Sequence, residues 1–372
     1  MAAATAELSA TGRQLVARAV PRSFHAGRRS LPKTWGPGPW RRCAAAAIAS
    51  RSWGVVMDID GVVLRGKNLI PGSAEAVRML EDAGVPYAFM TNGGGVTEAV
   101  KAEELATLLS IPAISESRVL LSHTPMRALA ERFRGRRVVI VGSKDTVAVA
   151  EHYGFNVSGG WAVTPAQLAA GNPSIFPQSF GSKASAPAVD VNAEGAPPIE
   201  AILILYEPDD WAMELQVLTD VLAGGRPLGS GVAPGLVPLV QVAEVFASNP
   251  DDFVWQAAYP VPRYGQGAFL DCLRTLWRRL SRGAELRVTE FGKPHPSQFS
   301  AAQQLLEAQL RPGEQLQRIF MMGDNPAADI RGANIARGGA WRSVLVCTGV
   351  YQGGPASNDA ADPAWRVEPD LR

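Results

Sequence analysis

Cysteine is scarce in this chain. Cys43, Cys272 and Cys347 are its three thiols in 372 residues, too few and too scattered for a disulfide framework or a zinc site. Histidine is also sparse, and His123, His152 and His295 stand at no metal-ligand spacing. An excess of charge of one sign is missing as well. A net charge of +1 argues against a dedicated nucleic-acid binder. No stretch approaches the ~18 consecutive apolar residues of a membrane-spanning helix, so no integral membrane association is expected. What is present is a globular composition, 47% apolar and 19% charged. The length suits two domains, or one large domain with an insertion.

Acids are nearly absent from the beginning of the chain. Arg13, Arg18, Arg22, Arg28, Arg29, Lys33, Arg41 and Arg42 stand there against Glu7 alone. Leu8, Leu15, Val16 and Ala19 can share one loose helical face. This is the arginine-rich, acid-poor composition of an organellar transit peptide, and residues 1–52 are read as one. The mitochondrion is preferred to the chloroplast, and a disordered basic tail is the duller alternative. The long apolar stretch of a secretory signal is missing. Gly36-Pro37-Gly38-Pro39 then interrupts regular structure.

From Trp53 the pattern becomes strand, loop, helix, repeated. Apolar runs at 53–57, 85–90, 138–142, 199–206, 318–322 and 343–348 read as strands. Helical patterns follow at 74–83, with Ser73 as N-cap, and at 97–109, 145–152, 211–222, 269–280 and 297–309. The alternation predicts an α/β fold built on a doubly wound parallel sheet. Residues 171–198 are rich in Pro, Ser, Ala and Gly and read as a long loop.

Several strands run straight into polar residues. The first ends in Asp58-Ile59-Asp60-Gly61, the second in Thr91-Asn92-Gly93, and a later one in Gly323-Asp324, with Asp329 five residues on. Lys293 lies in the loop Phe291-Gly-Lys-Pro294. In a parallel sheet the carboxyl ends of the strands share one edge, so these side chains can converge there. Like charges this close raise one another's pKa. A hard divalent cation such as Mg²⁺ accounts for such a carboxylate cluster. One lysine and one hydroxyl beside it can donate to phosphate oxygens. The set suits phosphoryl transfer.

At these residues the chain resembles the haloacid dehalogenase superfamily. The four motifs stand in order as Asp58-Ile-Asp60-Gly61-Val62, Thr91-Asn92, Gly292-Lys293-Pro294 and Gly323-Asp324-Asn-Pro-Ala-Ala-Asp329. The long interval between the second and third resembles subclass IIA, which inserts an α/β cap there. Thr91-Asn-Gly-Gly-Gly95, Ser122-His-Thr-Pro-Met126, Ser248-Asn-Pro-Asp251 and Tyr264-Gly-Gln-Gly-Ala-Phe269 resemble a mitochondrial branch of it. The resemblance implies a Rossmann-like core over 53–137 and 256–350 and a cap over 138–255, while the polar composition of residues 351–372 reads as a loose tail. The resemblance also implies a Mg²⁺-dependent phosphatase acting on a small phosphate monoester.

The resemblance implies the roles too. Asp58 would be the nucleophile that forms an aspartyl-phosphate. Asp60 would be the general acid and base, and its main-chain carbonyl a metal ligand. Thr91 and Lys293 would hold the transferring group. Asp58, Asp60, Asp324 and Asp329 would surround the Mg²⁺. Asn92, Gly93, Asn249 and Asp251 would face the substrate, and cap-mediated homodimers are a family habit. Two other function classes carry weight. One is a mitochondrial role in glycerophospholipid metabolism, and the other is a binding protein that kept the fold without turnover. A response-regulator receiver shares the residue types, but its phosphorylated aspartate lies on a later strand and no large insert separates its Thr from its Lys.

Overall fold

The computed structural model describes residues 53–143, 145–172, 188–190, 194–225, 239–250, 254–255, 263–336 and 339–372. The expected transit segment, Asp251 and most of the expected loop over 171–198 lie outside them. Among the described residues no helix is long and apolar enough to cross a membrane.

Among the described residues the chain lays down three strands of a first sheet, leaves for a second, and returns. The strands β1 (Trp53–Met57), β2 (Tyr87–Met90) and β3 (Val119–Leu120) come first. The second sheet takes β4 (Arg137–Val141), β5 (Ala162–Val163), β6 (Ile199–Ile204), β7 (Glu244–Ala247) and β8 (Val288–Glu290). Then β9 (Arg318–Gly323), β10 (Trp341–Val346) and β11 (Arg366–Glu368) complete the first. The first sheet has six strands in the order β11-β10-β9-β1-β2-β3, all parallel. The second has five in the order β8-β7-β6-β4-β5, also all parallel.

Parallel strands are buried on both faces and read as continuous apolar runs. In β1, Val55 and Met57 pack with Val77, Leu105 and Leu109 of the helices Ser73–Asp82 and Glu98–Leu109. Val56 points to the opposite face, against Phe299, Ala302 and Leu306 of the helix Pro296–Glu307. The second sheet repeats the arrangement. Val139, Val141, Ile202 and Ile204 meet the helices Trp211–Gly224 and Gln266–Leu280 on one face. Val138, Ile140 and Leu203 meet Val149 and Tyr153 of the helix Thr146–Tyr153 on the other. Trp211 packs edge-on against Phe269 at 5.5 Å between ring centroids.

Three expectations change. Gly72 in the left-handed region, not Ser73, precedes the first helix. Ser73 is its first residue and donates its hydroxyl to the Val63 carbonyl at 3.1 Å. The second sheet runs past the boundary expected at residue 255, because β8 pairs with β7 and the helix Gln266–Leu280 buries Phe269, Leu273 and Trp277 against that sheet. The tail expected over 351–372 carries β11, an edge strand on β10. Ala364 and Val367 pack there near Ile330 and Leu345, and Arg331 holds Asp362 at 2.8 Å.

Candidate active site

The register of the first sheet brings the polar residues level. Met57 of β1 lies opposite Phe89 of β2 and Met322 of β9. Asp58, Thr91 and Asp324 therefore leave their strands within a residue of one another along the sheet. Sheet order reverses direction at β1, with β2 and β3 on one side and β9, β10 and β11 on the other. This is the switch point where open α/β sheets bind ligands.

Asp58 is buried, and its backbone N–H donates to the Met322 carbonyl at 2.9 Å. The Lys293 Nζ, also buried, donates to Asp58 Oδ1 and Asp329 Oδ1, each at 2.6 Å. Asp58, Asp324 and Asp329 each offer a carboxylate oxygen, and these lie within 4.8 Å of one another. The Val350 N–H donates to Asp324 Oδ2 at 2.5 Å, and the Asn325 N–H to Asp329 Oδ2 at 3.0 Å. Gly61 sits at φ 90° against the Asp324 carboxylate, where a Cβ would overlap it. Only glycine takes that conformation and leaves that space.

Lys293 is placed by Asn92. The Asn92 Oδ1 accepts the Lys293 N–H at 2.7 Å, and its Nδ2 donates to the Lys293 carbonyl at 3.0 Å. The lysine thus comes from the loop after β8 of the second sheet, and the carboxylates from the first. Thr91 is buried, and its hydroxyl accepts the Gly93 N–H at 2.9 Å. Asn249, after β7, is buried, and its Nδ2 donates to the Asn92 carbonyl at 3.3 Å. Asp60 is exposed at the loop tip, bridging to Leu64. Its charge reaches both Asp58 and Tyr206 of the second sheet unit.

The electrostatics are lopsided. Burial pushes the Asp58 carboxyl up to about 7; Lys293 opposes this, and Asp324 and Asp60 add to it. Burial likewise raises Asp324 and Asp329 to about 6. Burial alone would lower Lys293, but the Asp329 and Asp58 carboxylates outweigh it and hold the ammonium above its usual range. Three buried carboxylates share one buried cation. Hard oxygen donors in excess of positive charge fit a divalent cation of the Mg²⁺ class.

The expected residues Asp58, Thr91, Lys293, Asp324 and Asp329 meet at one edge, with Asp60 beside them. Asn92 and Gly93 spend polar groups on holding Lys293 and Thr91, and Asp251 lies outside the described residues. Sequence reasoning missed Val350, because a main-chain N–H carries no residue signature. It also missed a buried group around Glu98, His123 and Tyr153. The only trace of that group was the Ser122-His-Thr-Pro-Met126 motif.

Comparison with known proteins matches residues 55–156 to the haloacid dehalogenase-like hydrolase family. Residues 290–372 match a HAD-hydrolase-like family. The first span holds Asp58, Asp60 and Thr91, and the second holds Lys293, Asp324 and Asp329. The chain is 33% identical over 300 residues to a cardiolipin synthase (CMP-forming) / mitochondrial hydrolase fusion protein of Schizosaccharomyces pombe. That match covers 79% of this chain and 48% of the fusion, so the chain spans about half the length of that relative. It is 29% identical over 328 residues to a mitochondrial hydrolase of Saccharomyces cerevisiae, covering 82% of this chain and 90% of that one. A glycerol phosphate phosphatase of Mycobacterium tuberculosis, solved with magnesium, has a similar fold. Its TM-score is 0.56 at 19% identity, over 87% of this chain and 77% of that one.

Proposed function

We propose that this chain, which belongs to the haloacid dehalogenase-like hydrolases, hydrolyses a small phosphate monoester through a phosphoryl group carried on Asp58. The observation that carries the reading is the Asp58 carboxylate at the end of β1, 2.6 Å from the Lys293 ammonium and beside Asp324 and Asp329. A nucleophile that splits one hard displacement into two easier ones needs this placement. The Asp58 oxygen attacks phosphorus and the ester P–O bond breaks. Asp60, at the exposed tip, gives its proton to the departing oxygen. Water then attacks the aspartyl-phosphate, Asp60 takes the water's proton, and inorganic phosphate leaves with Asp58 regenerated. Lys293 and the Thr91 hydroxyl donate to the phosphoryl oxygens.

Asp58, Asp324, Asp329 and the Asp60 main-chain carbonyl are the residues that would hold Mg²⁺. When bound, the ion neutralises charge on the phosphoryl oxygens and on the clustered carboxylates. The second sheet unit serves as the cap. Asn249 reaches the Asn92 carbonyl from it, which supports a lid that keeps bulk water from the covalent intermediate. The site is tested with purified protein and a generic aryl phosphate. Turnover should require Mg²⁺ and stop on chelation. Activity that survives exhaustive chelation would contradict the metal assignment.

A lipid-derived phosphate ester is a second, narrower reading of the substrate. It is favoured by the cardiolipin synthase to which the fission-yeast relative is fused. Mitochondrial location is proposed from the basic segment 1–52 and from the two relatives that are mitochondrial hydrolases by name. A fluorescent reporter fused to residues 1–52 should enter mitochondria, and a cytosolic or plastid reporter would contradict this.

A further inference from the structure

A second buried polar group lies beside the loop that carries Thr91. Glu98 begins the helix Glu98–Leu109 and is 2% exposed. Its Oε1 accepts from the Thr124 hydroxyl and the Tyr153 hydroxyl, each at 2.6 Å, and Arg127 approaches its Oε2 at 3.4 Å. His123, fully buried, places Nδ1 2.7 Å from the Tyr153 oxygen and Nε2 3.3 Å from the Gly95 nitrogen.

The direction of this chain follows from its ends. The Gly95 N–H can only donate, so His123 Nε2 accepts. The Glu98 carboxylate can only accept, so the Tyr153 hydroxyl donates to it. The remaining proton therefore lies on His123 Nδ1 and is donated to the Tyr153 oxygen. Each group thus holds one place in a one-way line from Gly95 to Glu98.

The Gly95 peptide is gripped from its other side as well. Its carbonyl accepts the Asp145 N–H at 3.0 Å. Asp145 is the N-cap residue before the helix Thr146–Tyr153, and Tyr153 ends that helix. One helix of the second sheet unit thus holds Gly95 twice, directly at its start and through His123 at its end. Gly94 has no room for a side chain, since a Cβ would stand 2.8 Å from His123 Cδ2 and 3.2 Å from Ser122 Oγ.

We propose that His123 is a positioning residue for the loop 91–95, and that it takes its own position from the helix Thr146–Tyr153 through the Tyr153 hydroxyl. The inference builds on the reading of that loop as the phosphoryl-holding one. A displaced loop moves Thr91 directly, and it moves Lys293 through the two hydrogen bonds from Asn92. The second sheet unit thereby sets the geometry of groups that act in the first.

The experiment compares Tyr153→Phe, His123→Leu and His123→Gln with the unmodified protein. Steady-state kinetics on an aryl phosphate with Mg²⁺ are read beside amide hydrogen exchange over residues 91–96. Tyr153→Phe and His123→Leu should lower kcat by about 10- to 100-fold, the scale of an ångström-sized misplacement, with KM little changed. Both should speed exchange at Gly95. His123→Gln keeps an acceptor for Gly95 and a donor for Tyr153, and should recover most of both readouts. Unchanged exchange at 91–96 in Tyr153→Phe would overturn the proposal, and so would a Gln variant no better than the Leu variant. If His123→Leu does not fold, Tyr153→Phe and His123→Gln decide. If the unmodified protein turns over no phosphate ester, the proposed reaction fails, and the exchange data alone decide the positioning.

Discussion

Two groups of buried polar side chains in this chain have opposite electrostatic outcomes. At the edge of the first sheet, burial drives Asp58 up to about 7 and Asp324 and Asp329 up to about 6. Glu98 is buried as well, and burial pulls its carboxyl the same way. The Thr124 and Tyr153 hydroxyls and its own backbone N–H outweigh that, and hold it below the usual carboxylate range. Burial is common to both, so the supply of donors makes the difference. Around Glu98 the donors come from within the chain and the network closes on itself. Around Asp58 one ammonium serves three carboxylates, and the shortfall is what a cation and a phosphoryl group would meet. On the proposed reading, the closed network positions and the open one reacts.

The strongest way to break the comparison is to remove the reacting group. Asp58→Asn should lower turnover by at least about 10⁴-fold, in the range seen when a covalent nucleophile is lost. The measurement is kcat on an authentic phosphate ester, and near-native turnover would remove Asp58 from the chemistry. Next comes the single cation of the open group. Lys293→Met leaves buried carboxylates uncompensated and should cost about 3–5 kcal/mol of stability at pH 8, read by urea unfolding in chelator. Tyr153→Phe in the closed group should cost about 2–3 kcal/mol, because the hydroxyl's bonds to Glu98 and from His123 are both lost while the ring remains. Equal losses would erase the distinction.

The last effect concerns pH. Burial lowers the His123 imidazole to about 4, against an ordinary value of 6.5, with Glu98 and a main-chain hydrogen bond to Val96 opposing that shift and Arg127 adding to it. Between those values the unfolded chain holds a proton that the folded chain does not. Stability from this group is complete above about pH 6.5 and is lost as pH falls toward about 4, at up to ~1.4 kcal/mol per unit. The Glu98 contribution has the same sign but is lost only further down, below its ordinary 4.5. His123→Gln should flatten the difference in stability between pH 6.5 and 4 relative to the unmodified protein. Parallel curves would show that the imidazole is not held neutral.

Much of the first sheet was legible because its signals are local. Trp53–Met57 is an unbroken apolar run ending in acids, and the expected strand matches the observed one. The helix from residue 97 was legible from its pattern, and Thr97 caps it through the Val100 N–H. The strand Val288–Glu290 was not legible. Its three residues include Thr289 and Glu290, and only its pairing with β7 makes it a strand. That short strand delivers Lys293, so its omission also misplaced the boundary of the second unit. The tail reads as loose because its polar composition hides Ala364 and Val367, two apolar residues that pack where the edge strand pairs with β10. The group around Glu98 joins residues up to 55 positions apart, a juxtaposition that no spacing rule anticipates. Polar residues at strand ends could be found from sequence; the partners that hold them in place are tertiary.

On the proposed reaction, Asp58 carries the phosphoryl group. Acid-quenching the protein during turnover of a phosphate ester with Mg²⁺, followed by peptide mass spectrometry, tests it most directly. A phosphoryl group is expected on the peptide containing Asp58, localised to that residue and absent from Asp58→Asn. Turnover with no protein-bound phosphoryl group, or with the group on another residue, would contradict that reaction.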